Sequence, residues 1–153
     1  NGLLQGSALI CGLYINELVQ RFLSAFDPHP RLYVYYQYAL NELIKGEDIE
    51  GALRTFERRL LNDAGYGLSM EGVEEQTLYL FDVAENSFRA VSQPKPDDYP
   101  CCFRGQELLA IEQDCYDTRE QRQAAKRLMR LVIDFRLEGR PLQSRTLFQK
   151  FEG

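Results

Sequence analysis

The chain reads as a mainly α-helical protein built around one central buried helix, with a small β-hairpin or irregular insert at about residues 68–103. Three observations predict this. Apolar residues recur at steps of three and four through most of the 153 residues. One stretch, Thr77–Val83 with Phe88–Val91, switches to strand formers. Pro94, Pro96 and Pro100 then break the chain before helical spacing resumes.

The first helix carries Leu4, Ala8, Cys11, Ile15, Leu18 and Phe22 at helical spacing. Leu3, Ile10, Leu13 and Tyr14 make its other faces apolar, which places it in the middle of the fold. Asp27-Pro28-His29-Pro30 ends it, because proline disfavours helical geometry in the residue before it. A second helix runs from Pro30 to Lys45 on the stripe Leu32, Tyr36, Leu40 and Leu43, and Gly46 stops it. Asp48 caps a third helix reaching about Ala64, with Ile49, Ala52, Leu53, Phe56 and Leu60 inward. Gly65-Tyr66-Gly67 closes it. The two strand-like runs face each other across Glu85-Asn86-Ser87, a hairpin turn. A short helix fits Gly105 to Gln113. The fifth helix runs from Thr118, its cap, to about Leu137, with Ala124, Leu128, Leu131, Val132 and Phe135 toward the core. Gly139 and Pro141 end it, and Ser144 caps a last short helix whose Leu147, Phe148 and Phe151 pack back.

This length suits one domain with a real core. The longest apolar run, Ala8–Ile15, falls far short of the ~20 residues that cross a bilayer. No basic stretch precedes it as in a secretory signal, so a cytoplasmic protein with no membrane partner is expected. The missing initiator Met before Asn1-Gly2 points to a processed product or a piece of something longer. Four cysteines stand at 11, 101, 102 and 115, none in a Cys-x-x-Cys pair, and the only histidine is His29. That set does not make a zinc site, and no metal or other cofactor is expected.

Charge is distributed unevenly. Between Thr118 and Lys150 nine basic residues face three acidic ones, a net +6 on a chain of net −5, which leaves −11 elsewhere. Arg119, Arg122, Lys126 and Arg130 follow one another at steps of three, four and four on the face opposite the fifth helix's core stripe. Arg140 and Arg145 extend the set. Arginine grips phosphate or carboxylate with two hydrogen bonds, so the stripe reads either as a DNA- or anion-binding face or as a solvated face neutralised by the acidic remainder. Little aromatic interleaving disfavours base stacking. On the third helix Arg54 and Arg58 stand one turn apart, off the core stripe, with Leu61 and Ala64 continuing that face. A cation beside apolar surface can seat a peptide's terminal carboxylate and last side chain. The spacing alone equally describes surface arginines whose stems cover neighbouring apolar groups. No phosphate loop, nucleophile elbow or zincin pattern occurs, and the pairs Glu74-Glu75 and Asp97-Asp98 read as solvated charge, so no enzyme is expected and no small-molecule substrate.

Three collinear runs form a recognisable set: Gly12–Leu18; Ala52–Leu61 with Gly65-Tyr66-Gly67; and Ala124-Ala125-Lys126-Arg127 leading to Gly139-Arg-Pro-Leu-Gln-Ser-Arg-Thr-Leu-Phe148. Together they resemble the C-terminal domain of RecO, the bacterial recombination mediator. The resemblance spans nearly the whole chain, so residues 1–153 are expected to be one RecO-like helical domain. It implies a non-enzymatic DNA repair and recombination adaptor. Such an adaptor docks the acidic C-terminal tail of the single-stranded-DNA-binding protein. With RecR it supports RecA loading and strand annealing on single- and double-stranded DNA in the nucleoid-associated cytoplasm. The docked tail ends in a Phe carboxylate, and Arg54 falls on the position suited to hold it, with Arg58, Leu61 and Ala64 around it. A sequence-nonspecific nucleic-acid module acting through residues 118–137 is the alternative. Two departures stand out. Many members carry a four-Cys zinc motif where Leu68–Tyr99 has no cysteine, so no zinc is expected here. The family's N-terminal OB-fold domain is expected to be missing from these residues, so full mediator activity is not expected of them alone.

Overall fold

The computed structural model describes residues 6–23 and 29–152, the last three by backbone alone. Leu3, Leu4, Asp27, Pro28 and the Phe151 side chain therefore lie outside the described residues. The chain is mainly helical, with a small sheet, as its periodicity predicts. In order it forms α1 (Ser7–Phe22), α2 (Pro30–Lys45), α3 (Ile49–Asp63), β1 (Leu78–Asp82), β2 (Ser87–Ala90), a 3-10 turn (Pro96–Cys101), β3 (Cys102–Arg104), α4 (Gly105–Glu112), α5 (Arg119–Arg136) and α6 (Gln143–Glu152). No described helix is long and apolar enough to cross a membrane. The elements form two compact units, residues 1–67 with 139–153, and residues 68–138.

In the first unit α1 packs against α2, α3 and α6 and is the central helix. It buries Ile10, Cys11, Tyr14, Ile15 and Leu18, but Leu9 and Leu13 remain 47% and 44% exposed, so the helix is not covered on every side. It stops at Phe22, with Leu23 already extended. Gly46 ends α2 in the left-handed conformation that glycine adopts without strain. Asp48 caps α3 by accepting the Gly51 N–H at 3.0 Å. Ile15, Leu18, Leu43, Phe56, Leu60 and Leu61 are fully buried here, each contributing roughly 1.5–3 kcal/mol.

The start of α6 departs from expectation. Ser144 is not its cap; the helix begins at Gln143. The Glu17 carboxylate reaches over from α1 and accepts the N–H groups of Gln143 (2.9 Å) and Ser144 (3.0 Å) and the Ser144 hydroxyl (2.8 Å). An anion from a neighbouring helix satisfies the orphan amides and meets the positive end of the dipole. Leu147 stays exposed, while Leu142 is buried and Phe148 half-buried.

In the second unit β1 is the middle strand of an antiparallel sheet ordered β2-β1-β3. Its pairing sets Tyr79 opposite both Ala90 and Phe103, and Phe81 opposite Phe88. Tyr79 and Phe81 point to the buried face by strand alternation. Phe88 stacks near Phe81 at 4.9 Å between ring centres. The strand β3 and the 3-10 turn replace the expected loop around Pro94–Pro100. Gly105 is required where β3 passes into α4, because a Cβ there would stand 1.7 Å from the Glu74 carbonyl oxygen. Thr118 caps α5 in a reciprocal box with Gln121. The buried face of α5 is Ala124, Ala125, Leu128, Met129, Val132 and Ile133. Phe135, read as core, is 43% exposed, because the burial stripe is rotated toward positions 125, 129 and 133.

Candidate functional site

On α3 the spacing of Arg54, Glu57, Arg58 and Leu61 places them on one helical face. The sequence reads Arg54 as lying off the core, but α3 is covered by α1 as well as α2, and Arg54 is only 7% exposed. Leu61 is fully buried, Arg58 half-buried and Ala64 half-buried. A buried arginine needs an opposite charge. Glu57 supplies it: its Oε1 lies 2.7 Å from Arg54 Nε. The two atoms are misaligned for a hydrogen bond, so the contact is a charge pair. The other carboxylate oxygen accepts a short hydrogen bond from the Tyr14 hydroxyl of α1.

Tyr14 is itself buried, and its phenol is pushed well above the ordinary range, first by burial and then by the Glu57 charge and hydrogen bond. Arg54 and Arg145 act in the opposite direction on the same phenol. Cys11, one turn before Tyr14, is raised to about 11 by burial, with Arg54 lowering and Glu57 raising it. Arg54, Glu57 and Tyr14 thus form one buried polar cluster, whose charges also act on Cys11. Arg145, which the sequence groups with the fifth-helix stripe, stands half-buried on α6, the helix that packs on α1 and is held through Glu17.

The stripe is divided between the two units. Arg119, Arg122, Lys126 and Arg130 belong to α5, while Arg140 and Arg145 belong to the unit formed by residues 1–67 and 139–153. On α5, Arg119, Lys126 and Arg130 are exposed, and Arg122 is half-buried. Arg130 has Asp134 at 3.8 Å, a loose and solvated pair. Residues 68–138 carry nine basic and fourteen acidic residues, net −5, so the cations of α5 form a local ridge on an acidic unit. Arg140 is exposed.

Arg127 has a different role from its neighbours. It donates to the carbonyl oxygens of Pro100 (3.0 Å) and Cys102 (2.6 Å), with its guanidinium 4.0 Å from the Phe103 ring centre. Burial lowers its pKa, while Glu107, Cys102 and Cys101 raise it. The residues here do not fit a zinc site. The Cys102 carbonyl is tied to α5 by that guanidinium, and among the described residues no group of three or more His, Cys, Asp or Glu is placed to hold a metal. Asp98 instead caps the 3-10 turn by accepting the Lys95 N–H at 3.1 Å. Glu57, Tyr14, Glu17 and Arg127 were not singled out from sequence. Glu57 could have been found as the i+3 partner of Arg54, whereas the others depend on contacts between distant segments.

The family model described as "Recombination protein O C terminal" matches residues 3–146. "DNA repair protein RecO" of Methylococcus capsulatus is 42% identical over 154 residues, covering 95% of this chain and 61% of the relative. The protein of the same name from Pseudomonas aeruginosa is 41% identical, with 95% and 63% covered. That from Burkholderia pseudomallei is 37% identical, with 94% and 54% covered. The chain thus spans somewhat more than half the length of these relatives.

Proposed function

The chain belongs to the RecO family through its C-terminal region, and on that premise we propose that it is a non-enzymatic DNA repair and recombination adaptor. The observation that carries the reading is the match over nearly the whole chain to proteins named for DNA repair. In this reading it docks the acidic C-terminal tail of the single-stranded-DNA-binding protein, partners RecR, and supports RecA loading and strand annealing. The tail's terminal carboxylate meets Arg54, with Arg58, Leu61 and Ala64 around it. What supports Arg54 is its burial beside Leu61 and its fixation by Glu57, since a preset cation loses little freedom on binding. The α5 cations Arg119, Arg122, Lys126 and Arg130, and Arg140 and Arg145, contact DNA backbone.

The test is a titration of this chain with a labelled acidic peptide ending in Phe, alone and against competing single-stranded DNA. The proposal expects saturable peptide binding. Arg54→Met combined with Glu57→Gln removes both buried charges together and so avoids stranding one of them. Loss of the charge-assisted contact should weaken binding by about 1.5–3 kcal/mol. Equal affinity of this double variant and the parent would refute the carboxylate role. The second reading, a sequence-nonspecific nucleic-acid module, is favoured by the exposed ridge Arg119, Lys126 and Arg130. It expects DNA binding that weakens steeply with salt and no peptide binding.

A further inference from the structure

We propose that Tyr99 is a stacking platform for an unpaired nucleic-acid base, and that it makes the cation ridge of α5 prefer single strands over duplex. The inference rests on the reading of that ridge as a DNA-backbone contact and names the group that meets the bases. The ridge residues Arg119, Arg122, Lys126 and Arg130 have no aromatic side chain interleaved among them, so by themselves they read only phosphate. The fold supplies the ring from elsewhere in the same unit.

One exposed ring needs no explanation by itself. Tyr99 is 58% exposed, but its backbone is tied to α5. Arg127 donates to the carbonyl of Pro100, the next residue, at 3.0 Å and to that of Cys102 at 2.6 Å. The Cys102 N–H closes back on the Tyr99 carbonyl, and Asp98 accepts the Lys95 N–H at 3.1 Å, so the 3-10 turn is braced from both ends. Pro100 also narrows the backbone choices of Tyr99. On the helix, exposed Lys126 precedes Arg127 and exposed Arg130 lies one turn after it. A ring on a fixed backbone therefore borders the ridge beside Lys126 and Arg130. Charge sorts the two halves of a nucleotide between turn and helix. Asp97 and Asp98 of the turn repel phosphate, which leaves the strand's backbone to the α5 cations, whereas a neutral base is free to lie on the ring. Inside a duplex both faces of each base are covered by its neighbours, so only an unpaired base can use Tyr99.

The experiment titrates this chain, by anisotropy at low salt, against a labelled oligothymidylate, the same oligomer made abasic, and a duplex of mixed sequence. The proteins are the parent, Tyr99→Ala, Tyr99→Phe and the joint charge reversal of Arg119, Lys126 and Arg130, each checked for folding by thermal unfolding. Tyr99→Ala should weaken the oligothymidylate about tenfold, leave the abasic oligomer and the duplex unchanged, and keep the parent's salt slope. Tyr99→Phe should bind as the parent does. The inference is overturned if Tyr99→Ala weakens nothing, if it weakens all three probes equally, or if Tyr99→Phe loses as much as Tyr99→Ala. If charge reversal abolishes binding while Tyr99→Ala does not weaken it, the ridge stands and the role of Tyr99 falls. If charge reversal leaves every affinity unchanged, or the parent binds no probe, the ridge reading itself fails and the inference with it.

Discussion

Replacing Glu17 by Ala tests how α6 is held. Its carboxylate receives two backbone N–H groups and one hydroxyl from the start of α6, at 2.8–3.0 Å, and pairs with Arg21 at 3.3 Å. Hydrogen bonds to a charged group contribute about 1.5–3 kcal/mol each when measured singly. They are not additive here, because the freed helix amides regain water and the side chain is 15% exposed. A loss of about 2–3 kcal/mol follows, as for a strong cap combined with a favourable dipole contact. In a chain of this size that lowers Tm by roughly 4–12 °C. Hydrogen exchange should accelerate first at Gln143–Thr146.

The pH dependence has a definite sign. Burial raises the Glu17 pKa, but the bonds from Gln143 and Ser144 and the Arg21 charge outweigh it and hold the carboxyl below the ordinary 4.5. A depressed carboxyl contributes stability that is present above the unfolded value and lost as pH falls through the folded one. The stability gap between parent and Glu17→Gln should therefore be full near neutrality and close below pH 4.5. A gap that persists unchanged at pH 3, or a Glu17→Ala loss under about 0.5 kcal/mol, would refute the assignment of Glu17 as the cap of α6.

Other perturbations follow from the same geometry. Arg127→Met should cost about 2–3 kcal/mol in urea unfolding, through two lost carbonyl contacts and the cation–ring contact. Gly105→Ala should destabilise the second unit by more than about 2 kcal/mol, since the Glu74 carbonyl is backbone and cannot swing aside. Tyr14→Phe leaves a buried Glu57 oxygen without its donor and should cost about 1–3 kcal/mol by thermal unfolding. Charge reversal at Arg119, Lys126 and Arg130 together should change stability little but reduce the salt slope of DNA binding, read by anisotropy.

Local signals were the legible ones. Asp48, Gly46 and Thr118 mark helix ends through their own neighbours, and the structure puts α3, α2 and α5 at those bounds. The hairpin was legible because its strand formers bracket a short polar turn containing Asn86, which adopts a positive φ of 55°. By contrast β3 is three residues long and shows no alternation; pairing with β1 and the grip of Arg127 define it. Arg54 was misread as superficial because one apolar stripe was assumed for α3, whereas two helices cover it. Ser144 looked like a cap because only its neighbours were visible; Glu17, 127 positions away, takes that role.

The central claim is that this RecO-family chain receives a terminal carboxylate in the Arg54 cluster. The most direct measurement compares its affinity for an acidic Phe-ending peptide with a free carboxylate and for the same peptide as an amide. The account predicts that the amide binds at least about tenfold more weakly, the scale of one charge-assisted contact. Equal affinity for the two peptides would contradict it.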